Sequence, residues 1–336
     1  MRRSRRSLLL FLLPALWLLV LVLSLNIGST RLDAGIVLRV LLGDRSDAAA
    51  FSVIWSLRLP RVLEAALIGG ALSVSGYLLQ TYFRNPIAGP YVLGVSSGAR
   101  FAVALVMLLS SAAGHALPFW GQMAAAFVGA LLCTALVLLC GRRASGMAVL
   151  LLVGVMTGSI FSALTDALIT FAQDADIASL HLWSQGSFSS AAWSSLIPCG
   201  SLILLALAAA CLMCKPISAF LLGEEYALGV GVRVPLFRSA LILLSCLLSA
   251  CATALAGPVS FIGVAVPHGI RRLLNSTQPR LLLPGCFLGG GIFCMVCDLI
   301  ARTLFSPTEL SISAVTAVFG APVVILLMLS RNRRHP

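Results

Sequence analysis

Apolar runs long enough to cross a membrane recur along almost the whole chain, and they constrain its fold more than any other feature. Of the 336 residues, 60% are hydrophobic and only 10% are charged. A water-soluble domain carries about 25% charged residues, whereas a membrane-spanning helix needs about 20 consecutive, mostly apolar residues. The sequence therefore predicts an all-α polytopic membrane protein of about ten helices. These helices are expected to form a single domain over residues 1–336, which leaves no room for a soluble enzymatic domain.

The distribution of basic residues predicts how these spans cross the membrane. The predicted spans cover residues 8–26, 57–80, 92–111, 118–140, 146–171, 190–214, 236–256, 258–270, 281–304 and 308–330. If the N-terminus is inside, most of the 23 Lys and Arg lie in cytoplasmic segments, as the positive-inside rule requires. Both termini are then cytoplasmic, and residues 26–55, where charges balance, form an external loop. No clear small-x-small cleavage site follows the first run, so we expect that helix to be retained. The basic clusters therefore indicate topology and not binding to nucleic acid.

One span is shorter than the others and is interrupted by prolines. The segment from Gly257 to His268 contains Pro258 and Pro267 and is too short to cross a bilayer as a straight helix. Broken helices of this kind are typical of transport paths. A kinked helix buried within a bundle is the alternative.

The connection over about residues 215–234 has apolar residues at helical spacing. Its acidic pair, Glu224 and Glu225, opposes binding to an anionic lipid leaflet. The segment is therefore predicted to form a short amphipathic helix at the inner surface that contacts a protein partner.

Several motifs occur in a fixed order along the chain: Arg58-Leu-Pro-Arg61, Asn85-Pro86, Leu93 to Gly98, Leu222 to Glu225, Gly257 to His268, and Asp298 to Arg302. Over about residues 55–329 the chain resembles the permease subunits of iron-siderophore, haem and vitamin B12 ABC importers. The resemblance implies a subunit in the bacterial inner membrane that moves an iron-siderophore complex inward, with haem or vitamin B12 as the alternative cargo. It also implies a homodimer or pseudo-dimer, two cytoplasmic ATPase subunits, and a periplasmic or lipid-anchored substrate-binding protein.

The same resemblance implies roles for particular residues. Docking of the binding protein would fall on Arg58, Arg61 and Arg302. Coupling to the ATPase would fall on Leu222, Gly223, Glu224, Glu225, Ala227 and Gly229. The pathway and its inner gate would involve Asn85, Ile87, Met147 and Ala148, although the last two replace hydroxyl-bearing residues of some relatives. The small residues between Gly69 and Gly76 would pack against neighbouring helices or line the path.

Three charged residues within the spans have separate interpretations. Arg100 stands where relatives carry a small residue; it could attract an anionic ferric complex or a haem propionate, extend to the inner interface, or pair within the bundle. Glu64, one helical turn after Arg61, is expected to neutralise it. Asp298 belongs to the pattern of the resembling family and is expected to be a structural partner.

No enzymatic site is predicted. The chain lacks a G-x-x-x-x-G-K-[ST] loop and Lys215 is its single lysine, so ATP would be bound by partner subunits and no cofactor is expected in this chain. The ten cysteines lie mostly in apolar runs and are interpreted as small hydrophobic residues, not as metal ligands. A gradient-driven secondary transporter is the alternative of another class, and a membrane-embedded enzyme is a third.

Overall fold

The computed structural model describes residues 2–28, 33–115, 117–141 and 147–332, and all regular secondary structure in these ranges is helical. A π-helical turn, Val53–Arg58, joins α3 to α4, and a 3-10 turn, Pro90–Leu93, precedes α5. The α-helices, in chain order, are α1 (Arg2–Asn26), α2 (Ala34–Leu41), α3 (Ala48–Ser52), α4 (Leu59–Phe83), α5 (Val95–Ala112), α6 (Phe119–Gly141), α7 (Met147–Ile169), α8 (Asp174–Gln185), α9 (Trp193–Leu212), α10 (Cys214–Leu222), α11 (Glu224–Gly229), α12 (Val234–Ala256), α13 (Ile262–Leu274), α14 (Pro279–Thr303) and α15 (Ile312–Asn332).

Seven helical stretches in the described part are long and apolar enough to cross a membrane. They comprise α4 together with the turn and helix before it, α5, α6, α7, α9, α12 and α14. Shorter apolar stretches lie in α1 (Leu12–Asn26) and α15 (Ile312–Leu326), and α13 has 13 residues. Counted together, these helices correspond to the predicted spans, and the all-α membrane fold is confirmed.

Helix α4 lies at the centre of the bundle and is buried along most of its length. It packs closely against α14, where Gly69 faces the backbone of Gly290, and against α13, where Gly76 faces the carbonyl of Gly263. Ser75 adds a hydrogen bond from its Oγ to the carbonyl of Ser245 in α12, at 2.8 Å. Small residues allow helix backbones to approach closely in a membrane. The small-residue face of α4 is thus occupied by packing within this chain.

The connections hold more structure than the sequence predicts. Residues 26–55, predicted as a loop, contain α2, α3 and the π-helical turn, and α2 buries Val37 and Val40. A further short helix, α8, lies in the connection between α7 and α9. The short helices were not predicted because they are too short to produce the long apolar runs by which the spans are recognised; the external position of residues 26–55 stays a prediction.

The interrupted span begins with non-helical backbone and becomes helical only at Ile262. Pro267 lies inside α13, which continues to Leu274, four residues beyond the end of the predicted span at 270. The non-helical part is held by neighbouring elements: the Val259 N–H donates to the hydroxyl of Tyr91 at 2.9 Å, and the Ser313 hydroxyl donates to the Pro258 carbonyl. Non-helical backbone at membrane depth is tolerated where protein satisfies it in this way.

Candidate functional site

The three arginines predicted to dock a partner lie together where α1, α4 and α14 meet, and we call them, with Asp298 and Glu309, the arginine cluster. Arg61 bridges two acidic groups: its Nη2 lies 2.9 Å from Asp298 Oδ1, and its Nη1 lies 2.9 Å from Glu309 Oε1. Asp298 is only 2% exposed, whereas Glu309 is 41% exposed. Asp298 is therefore the structural partner that the sequence led us to expect, and Arg61 is neutralised within the chain.

Arg58 and Arg302 bind the carbonyl groups at the end of α1. Arg58 Nη1 donates to the carbonyls of Leu25 and Asn26 at 2.7 and 3.1 Å, and Arg302 Nη2 donates to the carbonyl of Ser24. Arg302 Nε also lies 3.5 Å from Asp298 Oδ2. The last carbonyls of a helix lack partners within the helix and carry partial negative charge, which cationic side chains stabilise. Arg58 and Arg302 are 6% and 8% exposed, so both serve the packing of α1 in this conformation.

The expected pairing of Glu64 with Arg61 is wrong. Arg61 turns instead to Asp298 and Glu309, and Glu64 is 1% exposed with an Oε1 atom that has no hydrogen-bond partner among the described residues. Spacing along one helix identified the nearest candidate. It did not show that carboxylates on α14 and on the turn before α15 would reach the same guanidinium.

The connection between α9 and α12 consists of two short helices, α10 and α11, where one was predicted. Gly223 separates them with a φ of 148°, in a region of backbone conformation that favours glycine. Ala227 is buried, whereas Leu222 is 72% exposed, and Tyr226 and Leu228 are also exposed. The two helices therefore present a contiguous apolar surface.

This pair of short helices is anchored by the ring of Phe220, which is fully buried. The ring packs on Phe237 of α12, with centroids 5.2 Å apart, and the guanidinium of Arg84 lies 4.9 Å from its centroid. Arg84 Nη2 also donates to the Phe220 carbonyl at 3.1 Å, and Arg238 pairs with Glu224 at 2.7 Å. The α10–α11 turn is thus attached to the ends of both α4 and α12. These anchors were not predicted from the sequence. Of the residues involved, only Arg84 lies beside a recognised motif, Asn85-Pro86, and could have been singled out for that reason.

The predicted gate residues occupy the turn after α4 and the start of α7. Arg84 ends α4 with a φ of 48°, and the Ile87 N–H donates to Asn85 Oδ1 at 3.0 Å, which closes the turn. Ile87 is exposed on this turn. Met147 begins α7 and Ala148 follows it, but their side chains lie outside the described part of the chain, as do residues 142–146.

Of the remaining predicted residues, Glu225 and Gly229 are exposed on α11, and Arg100 lies half-buried in α5. In the described part of the chain no group of three or more His, Cys, Asp or Glu could hold a metal ion. The described part of the chain thus contains a helical bundle, an arginine cluster whose arginines all have partners within the chain, and an apolar surface on α10 and α11 that is anchored to the bundle. Such an arrangement is suited to contacts with other proteins and to movement between conformations.

This chain is similar to known transport proteins over nearly its full length. The model of the FecCD transport family matches residues 16–330. The hemin transport system permease protein HmuU of Yersinia pestis is 35% identical over 95% of this chain and 96% of its own length. The vitamin B12 import system permease protein BtuC of Yersinia pseudotuberculosis is 40% identical over 82% of this chain and 81% of its own length.

A solved structure agrees as well. A chain described as an inward-facing metal-chelate type ABC transporter is 30% identical, with a TM-score of 0.84 over 96% of this chain and 99% of that one. The resemblance first drawn from separate motifs is therefore confirmed over the whole bundle. This chain belongs to the FecCD transport family.

Proposed function

We propose that this ABC importer permease carries an iron chelate inward across the bacterial inner membrane, with a ferric siderophore as the first candidate cargo. The observation that carries the proposal is the full-length similarity to the metal-chelate type transporter, at 30% identity and a TM-score of 0.84. Haem is the second candidate, because the hemin permease is similar over 95% of this chain.

The α10–α11 turn is proposed as the ATPase-coupling element. Its exposed apolar side chains, with Leu222 at their centre, offer a surface for a protein partner, and Phe220 and Arg84 join that surface to α4. A partner that closes on binding ATP would displace this anchored turn and thereby favour one orientation of the bundle over another. Roles in this coupling are assigned to Leu222, Gly223, Glu224, Glu225, Ala227 and Gly229.

The arginine cluster is proposed to face the substrate-binding protein. Arg61 is the member best placed for docking, since one of its two partners, Glu309, is exposed and could be exchanged for a carboxylate of the partner. Charge contacts at such a rim increase the association rate and fix the orientation more than they raise affinity. Arg58 and Arg302 would act there by holding α1 in place beside Arg61.

The gate is proposed to lie at the turn of Asn85 and Ile87 and at the start of α7, with Met147 and Ala148. The assembly would contain two copies of this chain or one copy with a similar chain, together with two ATPase subunits that bind the ATP. Both termini are proposed to be cytoplasmic, on the distribution of basic residues.

The cargo is tested by uptake into proteoliposomes that contain this permease, its ATPase and its binding protein. We expect ATP-dependent accumulation of a ferric siderophore, or of haem, at limiting concentration. Accumulation of cobalamin without either iron chelate would contradict the proposed cargo while leaving the transporter class intact.

A further inference from the structure

Arg100 is a cation inside a membrane-spanning helix with no partner in the described part of the chain. It lies about 7.5 Å along α5 from the first helical residue, Val95. Its Nε atom is buried and makes no hydrogen bond, and no carboxylate of the described residues lies within ion-pair distance. Charged groups within a membrane are costly and usually meet a counter-charge or an aqueous cavity. The interpretation that Arg100 pairs within the bundle is therefore not supported by the described contacts.

The contacts of neighbouring residues show where the side chain points. Gly98 packs against Gly129 of α6. Residues two apart on a helix differ by about 200° in direction, so Arg100 faces away from α6. Phe101 packs on Phe161 of α7, with ring centroids 5.4 Å apart, while Ala99 is buried against the rest of the bundle. Arg100 thus points away from α6 and takes no part in the ring contact with α7, and its side chain is half-buried.

We propose that Arg100 binds an acidic group of the cargo as it passes α5, and so makes the permease selective for anionic chelates. The proposal rests on the iron-chelate function proposed above. A guanidinium offers several donors in one plane and binds carboxylate oxygens with two parallel hydrogen bonds. A carboxylate or catecholate oxygen on a ferric siderophore, or a haem propionate, supplies the matching acceptor.

Lipid phosphate has the same chemistry, since an arginine can extend along a helix to the membrane interface. A second copy of the chain could also supply a carboxylate to this surface. Changing the lipid composition of the vesicles tests whether lipid phosphate binds Arg100. Measuring the assembly state of the variant tests whether a carboxylate of a second copy binds it.

The experiment compares wild-type permease, Arg100→Gln, Arg100→Lys and, as a control for loss of an exposed arginine, Arg39→Gln. Each is reconstituted with its ATPase and binding protein in vesicles of phosphatidylcholine alone and of phosphatidylcholine with phosphatidylglycerol. The probes are an anionic ferric siderophore, a ferric siderophore without net negative charge, haem, and haem dimethyl ester. Binding-protein affinity for each probe is measured separately, so that uptake is compared between permeases at equal occupancy.

We expect Arg100→Gln to lower uptake of the anionic chelates at limiting concentration about tenfold or more, since charge-assisted hydrogen bonds are among the strong ones. In the same variant, uptake of the chelates without net negative charge should stay within about twofold of wild type, because the lost interaction is specific to the acidic group. Arg100→Lys should retain part of the preference for anionic over uncharged chelates. Arg39→Gln should match wild type in both vesicle types.

Equal loss for charged and uncharged chelates would overturn the proposal. So would a loss that occurs only with phosphatidylglycerol, or a variant that no longer assembles as wild type does in size-exclusion chromatography. If wild-type permease moves none of the iron chelates, the proposed cargo fails and the role of Arg100 fails with it. If wild type is active and the variant ratio is unchanged, only the role of Arg100 fails.

Discussion

Asp298 is the residue on which the arginine cluster depends most, because it is buried and faces two guanidiniums. Asp298→Asn would leave Arg61 and Arg302 without this charge, and breaking a buried pair from one side costs about 3–5 kcal/mol. Glu309→Gln is the matched control, since its carboxylate is 41% exposed and an exposed ion pair contributes about 1 kcal/mol or less. We expect a clear fall in the Tm of the detergent-solubilised protein for Asp298→Asn and a small one for Glu309→Gln. Equal shifts for the two variants would contradict the structural role of Asp298.

Glu64 presents the opposite situation, a buried carboxyl group with an oxygen that has no hydrogen-bond partner among the described residues. An unsatisfied buried polar group costs about 1–3 kcal/mol. Glu64→Leu removes that group at similar volume and is expected to raise stability by about this amount, measured as Tm in detergent. Glu64→Gln keeps polar atoms at the site and should raise the Tm less than Glu64→Leu does. A lower Tm for Glu64→Leu would show that the carboxyl group has a stabilising partner.

Only part of the arginine cluster could be predicted from the sequence. The structural role of Asp298 was expected, but Glu309 was missed as the second partner of Arg61, and Glu64 was assigned to it wrongly. Local spacing identifies neighbours on one helix. It does not show which helices meet, and the approach of α14 to α4 depends on glycines distributed over both.

The close contact between α4 and α13 provides a direct test of helix packing. A Cβ atom at Gly76 would collide with the carbonyl of Gly263, so Gly76→Ala forces the two backbones apart. Overpacking of this kind costs about 1–3 kcal/mol or more. Gly269 of α13 has open space around it, and Gly269→Ala should be neutral or slightly stabilising. Thermal unfolding and the yield of monodisperse protein are the measurements, and a tolerated Gly76→Ala would contradict the close approach.

Phe220 is the side chain that should hold the α10–α11 turn in place. Phe220→Ala removes the ring between Arg84, Arg238 and Phe237, and truncating a buried phenylalanine costs about 3–5 kcal/mol. We expect this variant to lose transport more than it loses ATPase activity, because the displacement of the turn no longer reaches α4. Glu224→Gln, which breaks a half-exposed ion pair, should lower the Tm only slightly, in contrast to Phe220→Ala. Proportional loss of transport and ATPase activity in Phe220→Ala would argue against its role in coupling.

The elements could be predicted to different degrees, and the physical reason is their length. Long spans such as α6 and α12 can be recognised in the sequence as long, mostly apolar runs. The short helices α2, α8 and α11 depend on contacts with the bundle for their stability, since isolated helices of this length are marginal in water. The sequence accordingly predicted one amphipathic helix around Glu224 where two helices meet at Gly223.

The family could be recognised from the sequence because several different motifs follow one another in the family's order along the chain, from Arg58 to Arg302. The family model matches residues 16–330, and the fold agrees with that of the metal-chelate type transporter over 96% of the chain. The cargo could not be predicted in the same way, because no single residue of the bundle identifies a siderophore, haem or cobalamin. Arg100 is the residue through which we propose that the chain itself contributes to that choice.

The proposed function depends on ATP-driven import through partner subunits. The most direct measurement is uptake of an iron chelate into proteoliposomes that contain the permease, with the ATPase, the binding protein or ATP omitted in turn. Accumulation only when all three are present, and unchanged when ion gradients are collapsed, is the predicted result. Accumulation by the permease alone, driven by an ion gradient, would contradict ATP-driven import and identify a secondary transporter.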